Sequence, residues 1–274
     1  MRMSNTLTVA TCQFAVCDDI VKNYQAIRRQ IIEAGSRNAD IVHFCECSLS
    51  GYAGIDFPKI RRQDESILSD ALDKIRALSK SLGTWIILGS HHFRPDENKP
   101  FNSLYVINDR GEIRDRYDKR YLTACRDERE IDHFSAGEKP VVFYIKGIPC
   151  GLLICHEWRY PELYREYYRM QVKILFQSWY DGNQSVEKYR HEGKFLGELI
   201  TGSVRGYAAN NHIWISGSNT CRKESSFPAF VVRPDGRYNG KLKRNRPGVL
   251  ISHIDLQKEF PDPSGHLRDR VIKS

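Results

Sequence analysis

The sequence has no long hydrophobic run and no stretch of low complexity. No segment approaches the roughly 18 consecutive apolar residues that a membrane-spanning helix requires. Residues 1–6 lead directly into a short apolar segment and lack the hydrophobic region of a secretory signal. These absences argue against a membrane partner and predict a cytoplasmic protein.

Paired cysteines at recognisable spacings are also missing. The chain has eight cysteines in 274 residues, and without a secretory signal they indicate reduced thiols and not a disulfide framework. Cys45 with Cys47, and His91 with His92, look like ligand pairs, but neither has a partner pair at structural-zinc spacing. On an extended strand Cys45 and Cys47 would share one face while Glu46 points to the other. We therefore expect two core thiols and no bound metal.

The net charge of +8 raises the question of nucleic-acid binding. The densest basic run, residues 241–246, contains no aromatic side chain on which a base could stack. Elsewhere basic and acidic residues are interleaved, as in residues 126–130, which is typical of a solvated surface. We therefore expect no nucleic-acid partner.

The apolar patterns alternate between strand and helix periods, which favours a layered α/β fold. Strands are predicted over residues 8–14, 39–44, 84–90, 102–108, 141–145, 150–154, 172–177 and 212–218, and helices over residues 21–35, 65–82, from 161 onward and 185–210. A last hairpin is predicted between residues 230–232 and 248–252. No composition break divides the chain, so residues 1–274 are expected to form a single domain.

An apolar run of strand length, residues 151–154, delivers Cys155 to its C-terminal end, where the sequence turns polar and aromatic. Ligands of open α/β sheets lie outside the carboxyl ends of the strands, so this position suits a nucleophile. However, free cysteine is also among the residues most often buried as a small hydrophobe. This segment by itself leaves both interpretations open.

Three blocks in a fixed order resolve that ambiguity. They are Phe44-Cys45-Glu46 with Gly51-Tyr52, then residues 117–122 (Tyr-Asp-Lys-Arg-Tyr-Leu), then residues 153–157 (Leu-Ile-Cys-His-Glu) with residues 159–162. With these blocks the chain resembles the nitrilase, or carbon–nitrogen hydrolase, superfamily over nearly its whole length. The resemblance implies a four-layer α-β-β-α sandwich with two packed mixed sheets, no cofactor, and a homodimer or higher homo-oligomer.

The catalytic Glu, Lys and Cys of that family correspond to Glu46, Lys119 and Cys155. A thiol is a weak nucleophile until a neighbouring base takes its proton, and a fixed ammonium can stabilise the oxyanion that attack creates. The resemblance therefore implies that Glu46 is the general base and that a thioester forms at Cys155. Lys119 and the backbone N–H of His156 are the implied oxyanion donors.

Many family members have a second glutamate shortly after the lysine. Glu128 is the match that we predict here, and Glu130 competes with it because the local register is ambiguous. A papain-like Cys-His site is a separate alternative. It is disfavoured because His156 adjoins Cys155, and neighbours on an extended chain point to opposite faces.

The substrate is less well defined by the sequence. Nitrilases typically have Cys-Trp-Glu at the nucleophile, and His156 in place of the tryptophan disfavours nitrile hydrolysis. Residues 159–162 instead resemble the sequences of the amidase and carbamoyl-hydrolase branches. We expect an amidase of small linear amides, with N-carbamoyl compounds as the alternative and a non-catalytic binding or scaffold member as a third possibility.

Arg159 is predicted either to hold a substrate carboxylate in bidentate fashion or to pair with a neighbouring glutamate, Glu157 or Glu162. Aromatic residues near strand ends are candidate pocket walls, although such residues are more often core. They are Tyr52, Tyr121, Trp179 and Tyr180.

Overall fold

The computed structural model describes residues 5–124 and 129–273. The strands are, in chain order, β1 (Thr6–Gln13), β2 (Ile41–His43), β3 (Trp85–His92), β4 (Phe101–Ile107), β5 (Ile113–Asp118), β6 (Val142–Ile145), β7 (Ile148–Ile154), β8 (Ile174–Ser178), β9 (Trp214–Ser218), β10 (Phe230–Val232), β11 (Tyr238–Lys241) and β12 (Gly248–Asp255). The helices are α1 (Ile20–Ser36), α2 (Glu65–Leu82), α3 (Glu130–His133), α4 (Pro161–Arg169), α5 (Val186–Lys188), α6 (Lys194–Asn211) and α7 (Gly265–Lys273). Short 3₁₀ helices span Arg62–Asp64 and Cys155–Arg159, and a π-helical turn spans Tyr189–Gly193. Within these described ranges no helix has the length and apolar character needed to cross a bilayer.

The strands form two six-stranded sheets. The order is β12-β1-β2-β3-β4-β5 in the first sheet and β11-β10-β9-β8-β7-β6 in the second. In each sheet three central strands run parallel, β1-β2-β3 and β7-β8-β9, while the outer neighbours pair antiparallel. Both sheets are therefore mixed, and the predicted α/β class is confirmed.

Alternation along the strands explains why the sheets and helices form four layers. Leu7 and Val9 of β1 lie in one apolar cluster with residues of the second sheet, whereas Ala10 and Cys12 lie in another with residues of α1 and α2. Successive side chains of a strand point to opposite faces, so the first sheet packs on the second sheet with one face and on helices with the other. Buried residues of α4 and α6 cover the outer face of the second sheet.

The limits of the long helices follow from local chemistry. Asp19 caps α1 by accepting hydrogen bonds from the backbone N–H groups of Val21 and Lys22, both at 3.0 Å, which satisfies donors that have no partner within the helix. At the end of α2, Gly83 takes the left-handed conformation with φ 62°, which glycine adopts without steric penalty. The predicted helix over residues 65–82 is confirmed.

The predicted hairpin between residues 230–232 and 248–252 is wrong. The partner of β10 is β11, and β12 instead crosses to the first sheet, where it pairs antiparallel with β1 along its whole length. The sequence of β11, Tyr-Asn-Gly-Lys, has little apolar character and gives no strand signal. By pairing with β1, β12 covers a sheet edge that would otherwise expose unpaired backbone groups.

A buried histidine joins the two sheets. The imidazole of His43, on β2, lies 2.9 Å from the hydroxyls of Ser178 on β8 and Ser216 on β9. Ser216 is in turn 2.7 Å from the hydroxyl of Thr11 on β1. Burial lowers the pKa of His43 to about 3, so the ring is neutral at pH 7 and both nitrogens are satisfied by hydroxyls.

This burial predicts a pH-dependent stability. Between about pH 6.5 and 3 the unfolded chain protonates His43 and the folded chain does not, so the free energy of unfolding should fall as pH falls through that window. We expect His43→Gln to weaken that dependence by up to about 1.4 kcal/mol per pH unit. Urea unfolding at several pH values measures it, with exposed His191→Gln as the control. Equal pH slopes in the wild type and His43→Gln would contradict the prediction.

Candidate active site

The predicted nucleophile lies at a sharp turn. β7 ends at Ile154, and Cys155 has φ 38°, a left-handed conformation that is uncommon for a residue with a side chain. The chain then enters the 3₁₀ helix Cys155–Arg159. The expectation that Cys155 and His156 point to opposite faces of an extended chain is therefore wrong, and both side chains line the same cavity.

Glu46 reaches the site from the first sheet and is fully buried. Its Oε1 accepts hydrogen bonds from Asn102 Nδ2 at 2.7 Å and from Lys119 Nζ at 2.8 Å. Its Oε2 accepts a hydrogen bond from the backbone N–H of Tyr180 at 2.9 Å. These donors come from β4, from the residue after β5 and from the loop after β8, so both sheets hold the carboxylate.

The strand-face argument for Cys45, Glu46 and Cys47 fails, although Cys45 and Cys47 are core thiols as expected. The strand β2 ends at His43, and Cys47 has φ 50°. The chain turns through this segment, so strict alternation does not apply. The turn places Glu46 against Lys119 and leaves both thiols in the cluster beneath α1 and α2.

Lys119 is a buried cation between two carboxylates. Its Nζ lies 2.8 Å from Glu46 Oε1 and 2.7 Å from Glu130 Oε2, and all three side chains are at most 1% exposed. Its backbone N–H donates to the carbonyl of Asn102 at 2.9 Å. A buried ion pair tolerates little movement, because an unpaired charge in this environment is strongly destabilising.

Glu130, the competing candidate for the second glutamate, lies against Lys119. Beyond its contact with Lys119, it accepts hydrogen bonds from Asn102 Nδ2 at 3.0 Å and from the backbone N–H of Thr123 at 2.8 Å. The predicted match, Glu128, lies outside the described residues. The Glu128 assignment therefore stays a prediction, beside a Glu130 whose carboxylate contacts Lys119.

Burial and neighbouring charges shift the pKa values of Glu46, Glu130 and Cys155. Burial raises the pKa of Glu46 to about 7, which Lys119 opposes and Glu130 reinforces. Burial acts in the same direction on Glu130, but Lys119 and the hydrogen bonds to Glu130 bring its pKa below the usual value. Burial also raises the pKa of Cys155, with Glu46 adding to the effect and Lys119 opposing it. The resting site therefore holds a thiol beside a carboxylate whose pKa is close to neutral.

A cavity of about 380 Å³ opens onto the thiol. Its lining combines apolar side chains with charged ones, among them Arg159, Lys188 and Glu192. The volume is within the range of small-molecule sites, and the apolar wall with a few polar groups is typical of them.

Four of the remaining predicted residues line the cavity, whereas Tyr52 and Tyr121 do not. Trp179 and Tyr180 line the cavity, as do His156 and Arg159. Tyr52 is buried behind the site, where its hydroxyl hydrogen-bonds to Glu130 and lowers the pKa of that carboxyl. The predicted role of Tyr52 as a pocket wall is therefore replaced by a supporting contact with Glu130.

Three groups that contact the site were not anticipated. Asn102 bridges both glutamates, Thr123 donates a backbone N–H to Glu130, and the backbone N–H of Tyr180 contacts Glu46. Asn102 left one usable signal, since an amide within the fully buried strand β4 requires a buried partner. Backbone donors leave no signal in a sequence.

Comparison with known proteins places this geometry in a family. A sequence profile of the carbon–nitrogen hydrolase family matches residues 8–259. The nitrilase and fragile histidine triad fusion protein NitFhit of Caenorhabditis elegans is 31% identical over 285 residues, covering 95% of this chain and 60% of that protein. The 2-oxoglutaramate amidase of Bacillus subtilis is 28% identical over 227 residues, covering 83% of this chain and 82% of the relative. This chain therefore spans less than two thirds of the fusion protein but most of the amidase.

Solved structures share the fold. A mutant of the amidase from Nesterenkonia sp. AN1, with the acetamide moiety of fluoroacetamide at its active-site cysteine, matches with a TM-score of 0.76 at 18% identity, covering 100% of this chain and 98% of that one. At that identity the likeness shows the fold alone. The family profile and the C. elegans relative go further, and they confirm what the motifs around Glu46, Lys119 and Cys155 predicted: this chain belongs to the carbon–nitrogen hydrolase family, in the amidase-like branch of the nitrilase superfamily.

Proposed function

We propose that this protein hydrolyses the C–N bond of a small linear amide through a thioester on Cys155. The observation that carries the proposal is the buried Lys119 ammonium, held between Glu46 and Glu130 next to a cavity lined by Cys155. A carboxylate with a pKa of about 7 beside a protonated thiol suits general-base activation, because catalytic groups work best near the operating pH.

In the first half of the proposed reaction, Cys155 Sγ attacks the amide carbon and Glu46 takes the thiol proton. The S–C bond forms while the carbonyl π electrons move to oxygen. Glu46 then gives its proton to the amide nitrogen, the C–N bond breaks, and ammonia leaves a thioester. Lys119 stabilises the oxyanion, because its ammonium has three protons and Glu46 and Glu130 engage only two of them.

In the second half, Glu46 takes a proton from water as the water attacks the thioester carbon. The S–C bond breaks, the proton returns to sulfur, and the carboxylic acid leaves. The backbone N–H of His156 is the proposed second oxyanion donor in both halves. The scheme uses only these groups and water.

Arg159 is the proposed anchor for the far end of the substrate. Its guanidinium carbon lies 4.8 Å from the centroid of the Trp158 ring, which fixes the group while leaving its N–H donors available. Among the described residues it forms no ion pair with Glu157 or Glu162. Lys188 also lines the cavity, together with the acidic residues Asp181 and Glu192, so the charges of the wall balance. The available N–H donors of Arg159 are therefore what favours a substrate that carries a carboxylate.

Two known proteins illustrate the alternatives. The B. subtilis relative is named as a 2-oxoglutaramate amidase, and a relative in Arabidopsis thaliana, 24% identical over 285 residues, as an N-carbamoylputrescine amidase. The Arg159 guanidinium on the cavity wall supports an anionic amide here, with N-carbamoyl compounds as the alternative. A family member that binds without turnover is the remaining alternative.

A substrate panel tests the proposal. We expect the wild type to release ammonia from carboxylate-bearing amides of four or five carbons faster than from neutral amides, N-carbamoyl amines or nitriles. Cys155→Ala should abolish release, whereas Cys17→Ala, which removes the other half-exposed described thiol, should retain it. Activity that persists in Cys155→Ala would contradict the assignment of the nucleophile, and a wild type without activity on every amide would favour the binding alternative.

The same panel tests Arg159. We expect Arg159→Met to raise KM for the carboxylate-bearing amides by about 10- to 100-fold, the effect of losing a charge-assisted contact of about 1.5–3 kcal/mol. Neutral amides should be unaffected. An equal loss on both classes would mean that Arg159 acts on the fold of the site and not on the substrate charge.

The second glutamate is tested by matched substitutions. We expect Glu130→Gln to lower kcat by about 100-fold or more, because it removes one of the two carboxylates that hold Lys119. Glu128→Gln should retain near wild-type kcat. The reverse result would assign the role to Glu128 and leave Glu130 as a structural contact.

We also propose a homodimer through the outer face of α6. Phe195 and Leu199, one turn apart on α6, are 67% and 41% exposed, and neighbouring exposed apolar side chains favour a protein contact. Sedimentation velocity should give about twice the monomer mass, and Phe195→Glu with Leu199→Glu should shift the protein towards monomer. A monomeric wild type at micromolar concentration would contradict this proposal.

A further inference from the structure

A second buried carboxylate lies two residues after the nucleophile and takes no part in the scheme above. Glu157 is fully buried, and it does not line the cavity beside Cys155. Within residues 5–124 and 129–273 it forms no ion pair. A buried carboxylate without a cation needs several hydrogen-bond donors, because burial of an uncompensated charge is costly.

Four donors converge on Glu157. Its Oε2 accepts from the backbone N–H of Ile154 at 2.7 Å, and its Oε1 accepts from the backbone N–H groups of Arg120 at 2.9 Å and Tyr121 at 3.3 Å. The Tyr117 hydroxyl donates from 2.8 and 2.9 Å to the two oxygens. Burial raises the pKa of Glu157 and these donors oppose the rise. All four partners donate hydrogen bonds to Glu157. The ionised carboxylate, which only accepts hydrogen bonds, therefore fits this site.

The positions of these donors explain what the carboxylate can do. Tyr117 and Arg120 flank Lys119 in the chain, and Ile154 directly precedes Cys155. Glu157 therefore links the Tyr117 side chain before the lysine and the backbone just after the lysine to the backbone that enters the turn at Cys155. The lysine comes from the first sheet and the cysteine from the second, so this carboxylate bridges the two halves of the site.

Other contacts hold Lys119 to the fold without Glu157. The Lys119 N–H donates to the carbonyl of Asn102 at 2.9 Å, and the N–H of Gly137 donates to the Lys119 carbonyl at 2.8 Å. The first bond attaches the lysine to β4 of its own sheet and the second to the loop between α3 and β6, and neither links it to Cys155. Loss of Glu157 should therefore shift the lysine relative to the thiol while the first sheet stays folded.

We propose that Glu157 is a positioning residue that sets the separation between Lys119 Nζ and Cys155 Sγ. It acts through the backbone around those two residues and does not touch the substrate. The inference rests on the proposed function, because the separation matters through stabilisation of the oxyanion. A small change in this separation has a large effect, since a displacement of about 1 Å can lower a catalytic rate by about 100-fold.

The test compares Glu157→Gln and Glu157→Asp with the control Glu166→Gln. In Glu157→Gln the amide N–H₂ is a donor that faces other donors, so some of these hydrogen bonds are lost. In Glu157→Asp the charge remains, but the side chain is one methylene shorter. Glu166 pairs with Arg120 at 2.7 Å, so its substitution removes a neighbouring carboxylate without affecting the link to Cys155. For each protein we would measure kcat, KM, the rate at which iodoacetamide alkylates Cys155, and thermal unfolding.

We expect Glu157→Gln to lower kcat by about 100-fold with KM and the alkylation rate within about threefold of wild type. Alkylation forms no oxyanion for Lys119 to stabilise, and a small displacement of Lys119 changes its effect on the pKa of Cys155 only slightly. Glu157→Asp should recover at least about tenfold of that loss, and Glu166→Gln should match the wild type. A Glu157→Gln protein with lower thermal stability but unchanged kcat would overturn the inference, as would a parallel fall in kcat and alkylation.

A crystal structure of Glu157→Gln provides a readout that does not depend on turnover. The inference expects the Nζ–Sγ separation to change by about 1 Å relative to wild type, and an unchanged separation would overturn it. If the wild type hydrolyses no amide while this separation does change, the proposed function fails and the positioning role stands. If the wild type is active and Glu157→Gln is equally active, the positioning role alone fails.

Discussion

The site depends on the burial of one lysine. Lys119 has no solvent exposure, and its ammonium is compensated by Glu46 and Glu130 within 2.8 Å. Removing Lys119 would leave two carboxylates without a cation in a low-dielectric interior. Burial raises the pKa of Glu46 towards neutrality although Lys119 opposes the rise, and Lys119 with nearby hydrogen bonds lowers the pKa of Glu130 against the effect of burial. One buried ion cluster thus provides both the proposed base and the proposed oxyanion donor.

The two-sheet architecture explains why these groups meet. Each sheet has three central parallel strands, and the chain leaves β2, β7 and β8 towards the site. Glu46 follows β2, Cys155 follows β7 and Tyr180 lies shortly after β8, so the carboxyl ends of parallel strands place them together. The inter-sheet contacts of His43 with Ser178 and Ser216 lie two to three residues before Glu46 and Tyr180 along the chain, which keeps the two halves of the site in register.

Sequence reasoning succeeded where a local pattern has a local cause. The strand that presents Cys155, the end of α2 at Gly83 and the α/β class follow from apolar periodicity and turn chemistry. It failed where a strand has no apolar signal, as in β11, and where a turn interrupts alternation, as between His43 and Cys47. Register within the charged segment around Glu130 was not resolved, because neighbouring glutamates differ only in tertiary contacts.

The sequence by itself determined the family to which this protein belongs. Glu46, Lys119 and Cys155 stand in family motifs, and those residue types are the basis of the proposed nucleophile, base and oxyanion donor. Only the tertiary structure decided that β12 pairs with β1, that Glu130 contacts Lys119 and that Glu157 joins the lysine segment to the nucleophile turn. The physical reason is that these contacts link residues distant in the chain, many through backbone donors that every residue carries.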